Sequence, residues 1–298
     1  MNITLRQLEI FMEVQRLSNT SLAAKKLYLS QSAVSMAITE LENILNVKLF
    51  DRHKKRLYIN SDGQALVALA QNALAVAEEI EQKFSLSRDG DISGILKIGA
   101  TTTIASCLLP EMMKNYLSKY SNVRFSLNIK NTHDIILNLE KFEIDIGLIE
   151  GICHHPELIT IPWKKDSLTI FASPSHPITS EKKITFDMLQ KAQWIVREPG
   201  SGNRAIFEKA CSDKLDNLNI ILELGDNETI KQAVKTGLGI GYMSQLALKQ
   251  SFEKGDLVEI KVPSLNLHRT LYVVLHADKY QSSLLKHFSK LCLNIKHS

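Results

Sequence analysis

The chain has 298 residues, which is too long for one small core, so two or three compact units are expected. Its hydrophobic fraction of 44% and charged fraction of 23% are those of an ordinary globular protein, not of a disordered or fibrous chain. The net charge is +4, and the first sixty residues hold nine Lys or Arg against five Asp or Glu. A basic N-terminal unit on a nearly neutral body indicates a polyanionic partner at that end of the molecule.

Four cysteines are scattered along the chain without a CxxC pair, which is typical of a reducing compartment. The first residues do not combine a basic region with a long apolar run, so no secretory signal is expected. No stretch approaches the length of a membrane span. We therefore expect a cytoplasmic protein with no membrane partner.

Three short helices are predicted at the N-terminus. The first covers residues 5–16, and the following Ser18, Asn19 and Thr20 break it and offer caps for a second helix over 21–27. A tight turn then leads into a third helix, which begins SQSAVSMAITELE at Ser30. The second and third helices in this order predict a helix-turn-helix motif, in which the third helix of the chain enters the DNA major groove.

The third helix has one apolar face and one face that is small, polar and nearly uncharged. Val34, Ile38 and Leu41 recur at helical spacing and can face a core. A surface that reads base edges must approach them closely and hydrogen-bond selectively, which suits small polar side chains better than charged ones. The candidate DNA-contacting residues on this helix are Gln31, Ser32, Ser35, Met36 and Thr39.

Residues 47–60 place apolar residues on both sides of a basic tip, which is typical of a small hairpin, or wing, whose cations lie beside phosphates. Its candidate DNA-contacting residues are Arg52, Lys54 and Lys55. A solvated basic loop beside an ordinary helical bundle is the alternative interpretation. Because Met36 can touch a thymine methyl but cannot neutralise a phosphate, more of the non-specific affinity is expected to rest on Lys54 and Lys55.

The pattern from residue 63 to about residue 87 predicts one long, alanine-rich helix. Apolar and small residues alternate in steps of four and three for nearly three heptads, and small residues let two helices pack closely. We interpret this segment as a dimerisation helix, with a single helix packed on its own domain as the alternative. Residues 88–91 then resemble a hinge or linker. The predicted seam consists of Leu66, Ala70, Ala73, Ala77, Ile80 and Phe84.

Beyond the linker, strands and helices alternate, which indicates an α/β domain with mainly parallel strands. The predicted strands are 95–100, 123–129, 145–150, 168–172, 194–197, 220–224, 240–243 and 270–276. The predicted helices are 108–120, 134–141, 203–214, 229–236 and 282–293.

Four N-terminal stretches follow one another at a spacing specific to one family: LRQLEIF (5–11), AAKKL (23–27), LSQSAVS (29–35) and LENILNVKLFDR (41–52). With LKIG (96–99), DIGL (145–148), REPGSG (197–202) and GLGIG (237–241), they make the chain resemble the LysR-type transcriptional regulators over its full length. Within that family, DIGLIEG (145–151), GSGNRAIF (200–207) and ELG (223–225) most resemble the YeiE-like branch.

The resemblance implies a winged helix-turn-helix at 1–60, a linker and dimerisation helix at 61–88, and an effector-binding domain at 92–298. That domain is similar to a type 2 periplasmic binding protein, with two α/β lobes joined by two crossover strands. Lobe I is expected at 92–163 plus 268–298, and lobe II at 164–267.

The resemblance also implies the partners of this protein. Such regulators assemble as homodimers or homotetramers, bind an approximately palindromic promoter site in double-stranded DNA, and allow RNA polymerase as a further partner. Applied to this chain, the resemblance implies that Gln31, Ser32 and Ser35 contact bases or nearby phosphates. The resemblance also implies that Arg52, in the wing, contacts the DNA backbone or minor groove.

Ligands of open α/β sheets lie at the carboxyl ends of strands, often on helix N-termini. Two such places are polar here, residues 100–103 (ATTT) and 200–204 (GSGNR), and Asn131 and Glu150 end further strands of the first lobe. Their hydroxyls, backbone N–H groups and one guanidinium suit a small anion. The candidate effector-binding residues are Thr101, Thr102, Thr103, Asn131, Glu150, Ser201, Gly202, Asn203 and Arg204.

Because LysR-type relatives include sensors of sulfur oxyanions, sulfite or sulfate is the expected effector. A carboxylate beside an anion is costly unless it is neutral or paired, so Glu150 is expected to pair with Arg204 or to hold an ammonium group. A small carboxylate metabolite is the alternative effector. For the threonine run, a helix cap with an exposed turn is the alternative interpretation.

Other motifs predict no further chemistry. Residues 153–155 (CHH) have metal-ligand side chains but no second ligand cluster, so a surface loop is expected and no metal site. The run GLGIG lacks the GxGxxG spacing of a dinucleotide site. We expect no cofactor and no enzymatic activity. A solute-binding protein or an enzyme on the same two-lobed fold remains the alternative, since fold alone does not fix function.

Overall fold

The computed structural model describes residues 2–53, 56–85, 92–151, 153–181, 183–211 and 218–294. They form two compact units. The first unit is Met1–Gly94 with Asp278–Lys286, and the second is Ile95–Ala277 with His287–Ser298. The predicted class is confirmed: an N-terminal helix-turn-helix precedes a mixed α/β domain.

The first unit opens with three helices, each of which begins at a polar cap. The side-chain oxygens of Thr4, Asn19 and Ser30 accept hydrogen bonds from backbone N–H groups of the first helical turn. Each such cap stabilises its helix by about 1 kcal/mol, which explains why these short segments are helical. The helices are α1 (Leu5–Leu17), α2 (Thr20–Leu27) and α3 (Gln31–Leu45).

A hairpin and a long helix follow. The strands β1 (Phe50–His53) and β2 (Arg56–Ile59) pair antiparallel, as the wing pattern predicts. Helix α4 covers Ser61–Ser85. Its Gly63 packs so closely against the hairpin that a Cβ there would overlap the carbonyl oxygen of Leu49.

The exposed apolar residues of α4 differ in part from the predicted seam. Ala70 is only 1% exposed, and α1 packs on α4 within the same unit. The exposed apolar residue beside it is Leu69, which is 67% exposed. The exposed large apolar residues of α4 are Leu69, Val76, Ile80 and Phe84, and Ala73 lies between them.

The segment Asp278–Lys286 belongs to the first unit through two side chains of α4. Asn72 donates to the carbonyl of Asp278 (2.5 Å) and accepts from the N–H of Tyr280 (2.7 Å). Glu79 accepts from the N–H (3.2 Å) and the hydroxyl (2.6 Å) of Ser283, the first residue of helix α12. Burial raises the pKa of Glu79, but the hydrogen bonds from Ser283 and Tyr280 outweigh it and hold that pKa below its usual range.

The second unit is built on one sheet of nine strands in the order β4-β3-β5-β11-β6-β9-β7-β8, with β10 paired to β6. The strands are β3 (Gly94–Ala100), β4 (Val123–Ile129), β5 (Ile146–Glu150), β6 (Leu158–Ala172), β7 (Gln193–Arg197), β8 (Asn219–Leu224), β9 (Ile240–Ser244), β10 (Val258–Ile260) and β11 (His268–His276). Its helices are α5 (Thr102–Cys107), α6 (Leu109–Leu117), α7 (Thr132–Glu140), α8 (Phe186–Lys191), α9 (Gly202–Cys211), α10 (Asn227–Lys235) and α11 (Gln245–Lys254). Helix α12 (Ser283–Asn294) begins in the first unit and ends in the second.

Two long antiparallel strands, β6 and β11, run through the middle of this sheet. The first part of β6 pairs with β11, and its last part, Leu168–Phe171, pairs with β9. The strands β3, β4 and β5 lie on one side of the pair, and β7, β8 and β9 on the other. The first part of β6, the short β10 and the helices α5, α8 and α11 are not among the predicted elements.

Aromatic packing holds α9 on the second half of the sheet. The rings of Phe207 and Tyr242 stack with their centroids 3.9 Å apart, and the fully buried Trp194 packs beside Phe207. The indole N–H of Trp194 donates to the carbonyl of Leu189 (2.7 Å). Full burial of one such ring contributes about 1.5–3 kcal/mol, so this packing stabilises α9 against the sheet.

Candidate functional site

The exposed face of α3 carries most of the predicted DNA-contacting residues. Gln31, Ser32, Met36 and Thr39 are exposed, and Met36 is 62% exposed. Ser35 is half-buried and accepts from the Gln31 amide (2.8 Å). A small, polar and uncharged surface is therefore presented, with one thioether in it.

A buried carboxylate ties this helix to the wing. Glu42 is 8% exposed and accepts from the Leu49 N–H (3.0 Å) and from the Lys48 ammonium (2.6 Å). Arg52 lies on β1 opposite Leu57. The predicted phosphate contacts Lys54 and Lys55 lie outside the described residues.

The first half of the predicted effector cleft follows β3. Thr101 precedes α5, but its hydroxyl does not cap that helix; its Oγ1 is buried without a hydrogen-bond partner. Thr103 is also buried, and its Oγ1 lies 3.5 Å from the Asn227 amide on α10. The Thr103 hydroxyl therefore contacts the start of α10.

Asn131 and the turn before α9 continue this arrangement. Asn131 caps α7 through the Asp134 N–H (2.9 Å), and its amide lies 3.4 Å from the Glu198 carboxylate. Gly200 has φ +85°, a left-handed conformation that favours glycine, and its carbonyl accepts from the His133 N–H (3.2 Å). These contacts join the ends of β4 and β7.

The turn then brings α9 against the end of β5. A Cβ on Gly202 would lie 2.5 Å from the carbonyl oxygen of Glu150, so only glycine allows this approach. The neighbouring Ser201 is 2% exposed, and its Oγ has no hydrogen-bond partner. Asn203 is fully buried, and its Nδ2 likewise has none.

Arg269 on β11 is the centre of a buried polar network that the sequence did not reveal. Its guanidinium contacts Asp166 (2.6 Å), Glu150 (3.5 Å) and the Asn203 amide oxygen. Asp166 also accepts from the hydroxyl of Ser244. The expected pairing of Glu150 with Arg204 is wrong, because Glu150 pairs with Arg269.

A second buried guanidinium, Arg197, was also missed. It donates to the Glu198 carboxylate (2.7 and 2.9 Å) and to the Asn227 amide oxygen (2.9 Å). Arg197 is the last residue of β7, and Arg269 is the second residue of β11, between His268 and Thr270. A charged residue at or beside the end of a predicted strand is the signal that the sequence offered for them.

The Arg204 guanidinium is paired with carboxylates of the same unit. Its guanidinium donates to Glu208 (2.7 Å), to Glu223 and to the Arg197 carbonyl (3.0 Å). Burial lowers the pKa of Arg204, but the bonds to Glu208 and Glu223 outweigh this effect and raise it. Its charge is thus matched by two carboxylates instead of facing the threonine run.

A cavity of about 900 Å³ opens beside α9. Of the nine predicted effector residues, Glu150, Ser201, Gly202 and Arg204 line it. Thr101, Thr102, Thr103, Asn131 and Asn203 are not among its lining residues. The cavity therefore extends away from the threonine run, towards β11.

The loop at 153–155 lies only partly at the surface, because Cys153 is buried while His154 is exposed. Burial, above all, raises the pKa of the Cys153 thiol, and His155 contacts Glu140 (3.2 Å). Within the described ranges, no group of three or more His, Cys, Asp or Glu side chains is arranged to hold a metal ion. No helix in the same ranges is long and apolar enough to cross a membrane.

A winged helix-turn-helix, a long exposed helix and a two-sided α/β unit with a polar cleft together define a DNA-binding regulator with a ligand-binding domain. Residues 5–64 match the family described as bacterial regulatory helix-turn-helix protein, lysR family, and residues 89–295 match the LysR substrate binding domain. The chain belongs to the LysR family of transcriptional regulators, and it is a regulator, not an enzyme.

Individual relatives agree with this assignment. The chain is 40% identical to the HTH-type transcriptional regulator YeiE of Escherichia coli (strain K12), over 98% of both chains. It resembles the regulatory domain of CcmR from Synechocystis PCC6803, solved in complex with 2-PG, with 25% identity, a TM-score of 0.64, and coverage of 69% of this chain and 99% of that one. Full-length OxyR from Pseudomonas aeruginosa has the same fold, with 20% identity, a TM-score of 0.72, and coverage of 99% and 94%.

Proposed function

We propose that the second unit senses a small oxyanion such as sulfite or sulfate. Three buried polar atoms without partners carry this proposal: Thr101 Oγ1, Ser201 Oγ and Asn203 Nδ2. Buried polar groups are almost always hydrogen-bonded, and each one left unsatisfied costs about 1–3 kcal/mol. A bound ligand that accepts hydrogen bonds would remove this cost.

Neutral donors suit such an anion, because the buried guanidinium groups of the cleft are already paired with carboxylates. Ser201 immediately precedes α9, whose first-turn N–H groups and positive helix end favour an anion. Thr102, Thr103, Asn131 and Gly202 would complete the contacts. Glu150, whose charge is compensated by Arg269, would form one wall of the ligand site. Arg204 would hold the turn before α9 in place.

A small carboxylate metabolite is the second candidate effector. The cavity of about 900 Å³ is far larger than a sulfur oxyanion, and this observation favours a longer molecule that reaches towards β11. CcmR was solved with 2-PG bound to its regulatory domain.

The test is a thermal-shift and calorimetric titration of the full chain with sulfite, sulfate, phosphate and small carboxylates. The wild type should show a saturable rise in Tm with one oxyanion, since a ligand bound only to the native state stabilises it by mass action. Thr101→Val and Ser201→Ala should reduce that affinity. Ser289→Ala is the matched control, because Ser289 Oγ on α12 is also buried without a partner. A response to carboxylates alone would overturn the oxyanion proposal.

We also propose how DNA is bound. Gln31, Ser32, Ser35, Met36 and Thr39 would face base edges or nearby phosphates, and Arg52, Lys54 and Lys55 would lie along the backbone or minor groove. A homodimer or homotetramer in the cytoplasm would bind an approximately palindromic promoter site, with half-sites about one helical turn apart. RNA polymerase is the further partner of this assembly.

Replacement of Ser35 or Arg52 by Ala should weaken binding to a duplex taken from upstream of the protein's own coding sequence. Fluorescence anisotropy at two salt concentrations measures this, because phosphate contacts make the affinity salt-dependent. Unchanged DNA affinity in both variants would contradict the proposed contacts of α3 and the wing with DNA.

A further inference from the structure

The turn between α2 and α3 holds an aromatic residue in an unfavourable backbone conformation. Tyr28 has φ +56° and ψ +41°, in the left-handed region, where it ends α2. Its N–H bonds to the carbonyls of Ala24 and Lys25, and the Leu29 N–H bonds to the Ala24 carbonyl (2.9 Å). Glycine or asparagine usually fills such a position, because a bulky side chain crowds the backbone there.

Comparison with similar positions shows what is unusual about Tyr28. Among the described residues, the other non-glycine residues with positive φ are Ser18, Asn46 and Phe142. Ser18 is small, and asparagine tolerates this conformation well. Phe142 is bulky but only 5% exposed, and its ring centroid lies 4.3 Å from that of His276, so core packing offsets its strain.

Tyr28 has no such compensation from burial, because it is 95% exposed. The fold therefore places a large aromatic side chain in solvent, on a backbone conformation that a smaller residue would adopt more easily. Strained residues that persist without a packing reason concentrate at functional sites. The ring of Tyr28 is accordingly placed for a contact with another molecule.

The neighbours of Tyr28 identify that molecule. Ser30 and Gln31, which begin α3, follow within three residues, and the exposed Lys25 lies in the last turn of α2. In helix-turn-helix complexes the first helix crosses the DNA backbone, and the N-terminal residues of the second contact bases. The turn between them passes from the backbone to the groove.

We propose that Tyr28 is a DNA-backbone contact in which the hydroxyl donates to a phosphate oxygen and the ring packs on the adjacent deoxyribose. Tyrosine hydroxyls are among the groups that make such phosphate contacts, which position a protein without reading sequence. The contact is neutral, so it adds affinity on any duplex without adding a released counterion.

The experiment compares folding stability with DNA affinity in the full-length protein. Tyr28→Asn should raise the urea midpoint of the first unit, because asparagine accepts the left-handed conformation. The same change should weaken binding by about fivefold, the loss expected from one net hydrogen bond and its packing. The loss should be equal on the upstream duplex and on a scrambled one, with an unchanged salt slope.

Two further variants separate the causes. Tyr28→Phe keeps the strain and removes the hydroxyl, so stability should stay unchanged while affinity falls on both duplexes. Ser18→Gly is the matched control, since it relieves a left-handed position at the end of α1 and should raise stability without changing affinity. Wild-type affinity in Tyr28→Asn would overturn the proposal, as would a loss confined to the upstream duplex.

Discussion

Arg269→Met should destabilise the second unit severely. The Arg269 side chain is 1% exposed, and those of its partners Asp166 and Glu150 are 2% and 3% exposed. Its removal would leave two carboxylates buried without a cation. Breaking one partner out of a buried pair costs about 3–5 kcal/mol, a large share of the roughly 5–15 kcal/mol that holds a typical domain together.

Urea denaturation followed by tryptophan fluorescence measures this loss, because both tryptophans, Trp163 and Trp194, lie in the second unit. Lys235→Met is the matched control. The Lys235–Asp256 pair (2.9 Å) has side chains 26% and 44% exposed, so water screens it and its loss should change the urea midpoint little.

A partial rescue would identify the cause as uncompensated charge. Adding Glu150→Gln and Asp166→Asn to Arg269→Met removes both carboxylate charges and should recover part of the lost stability. A single variant within about 1 kcal/mol of the wild type would refute the buried network. A triple variant no more stable than the single one would refute the electrostatic explanation.

Three further outcomes are expected. Gly202→Ala would force a Cβ against the Glu150 carbonyl, so it should lower the free energy of unfolding by about 1–3 kcal/mol. It should also abolish effector binding in the thermal-shift titration, and normal binding would contradict the close approach. Ile80→Asp places a charge on the exposed stripe of α4, where Ile80 is 54% exposed, and should shift sedimentation towards the monomer; an unchanged oligomer would show that the stripe is not the dimer contact. The pKa of Glu79 in the folded protein lies below its reference value of 4.5, so ionised Glu79 stabilises the fold fully above pH 4.5. That stabilisation is lost as the pH falls through the folded pKa. Glu79→Gln should therefore make the free energy of unfolding less dependent on pH in the acid range, as measured by urea melts at a series of pH values.

The residues of the cleft that follow predicted strands could be located from the sequence alone. Thr101 comes directly after the predicted strand 95–100 and Ser201 four residues after the predicted strand 194–197, and the carboxyl ends of strands are where such sheets bind ligands. The structure buries both hydroxyls. The apolar period and the polar caps similarly predicted the three N-terminal helices and the wing.

The pairing of charges could not be predicted, because it depends on contacts between distant parts of the chain. Asp166 and Arg269 are 103 residues apart, and they meet only because β6 and β11 pair. The charged run at 164–166 also hid the first part of β6, since it interrupts the apolar pattern of a strand. Arg204 offered no local sign that Glu223 would neutralise it.

The exposed apolar stripe of α4 could not be predicted for a related reason. Two neighbouring stripes of this alanine-rich helix have similar apolar character, and only the packing of α1 decides which one is covered. Heptad spacing gives the period of such a helix but not which stripe remains free.

The contacts of Asn72 and Glu79 mean that the first unit needs a segment from near the end of the sequence, Asp278–Lys286. A protease cut or gene truncation between α4 and β3 would leave the two halves of the sequence intact, yet it would separate Tyr280 and Ser283 from the acceptors of their N–H groups. The Ser283 N–H at the start of the last helix would then lose its carboxylate acceptor, while the Ser282 hydroxyl would still accept from the Leu285 N–H (3.2 Å). Fragments that start after the linker should therefore be compared with the whole protein before their ligand affinities are taken as those of the regulator.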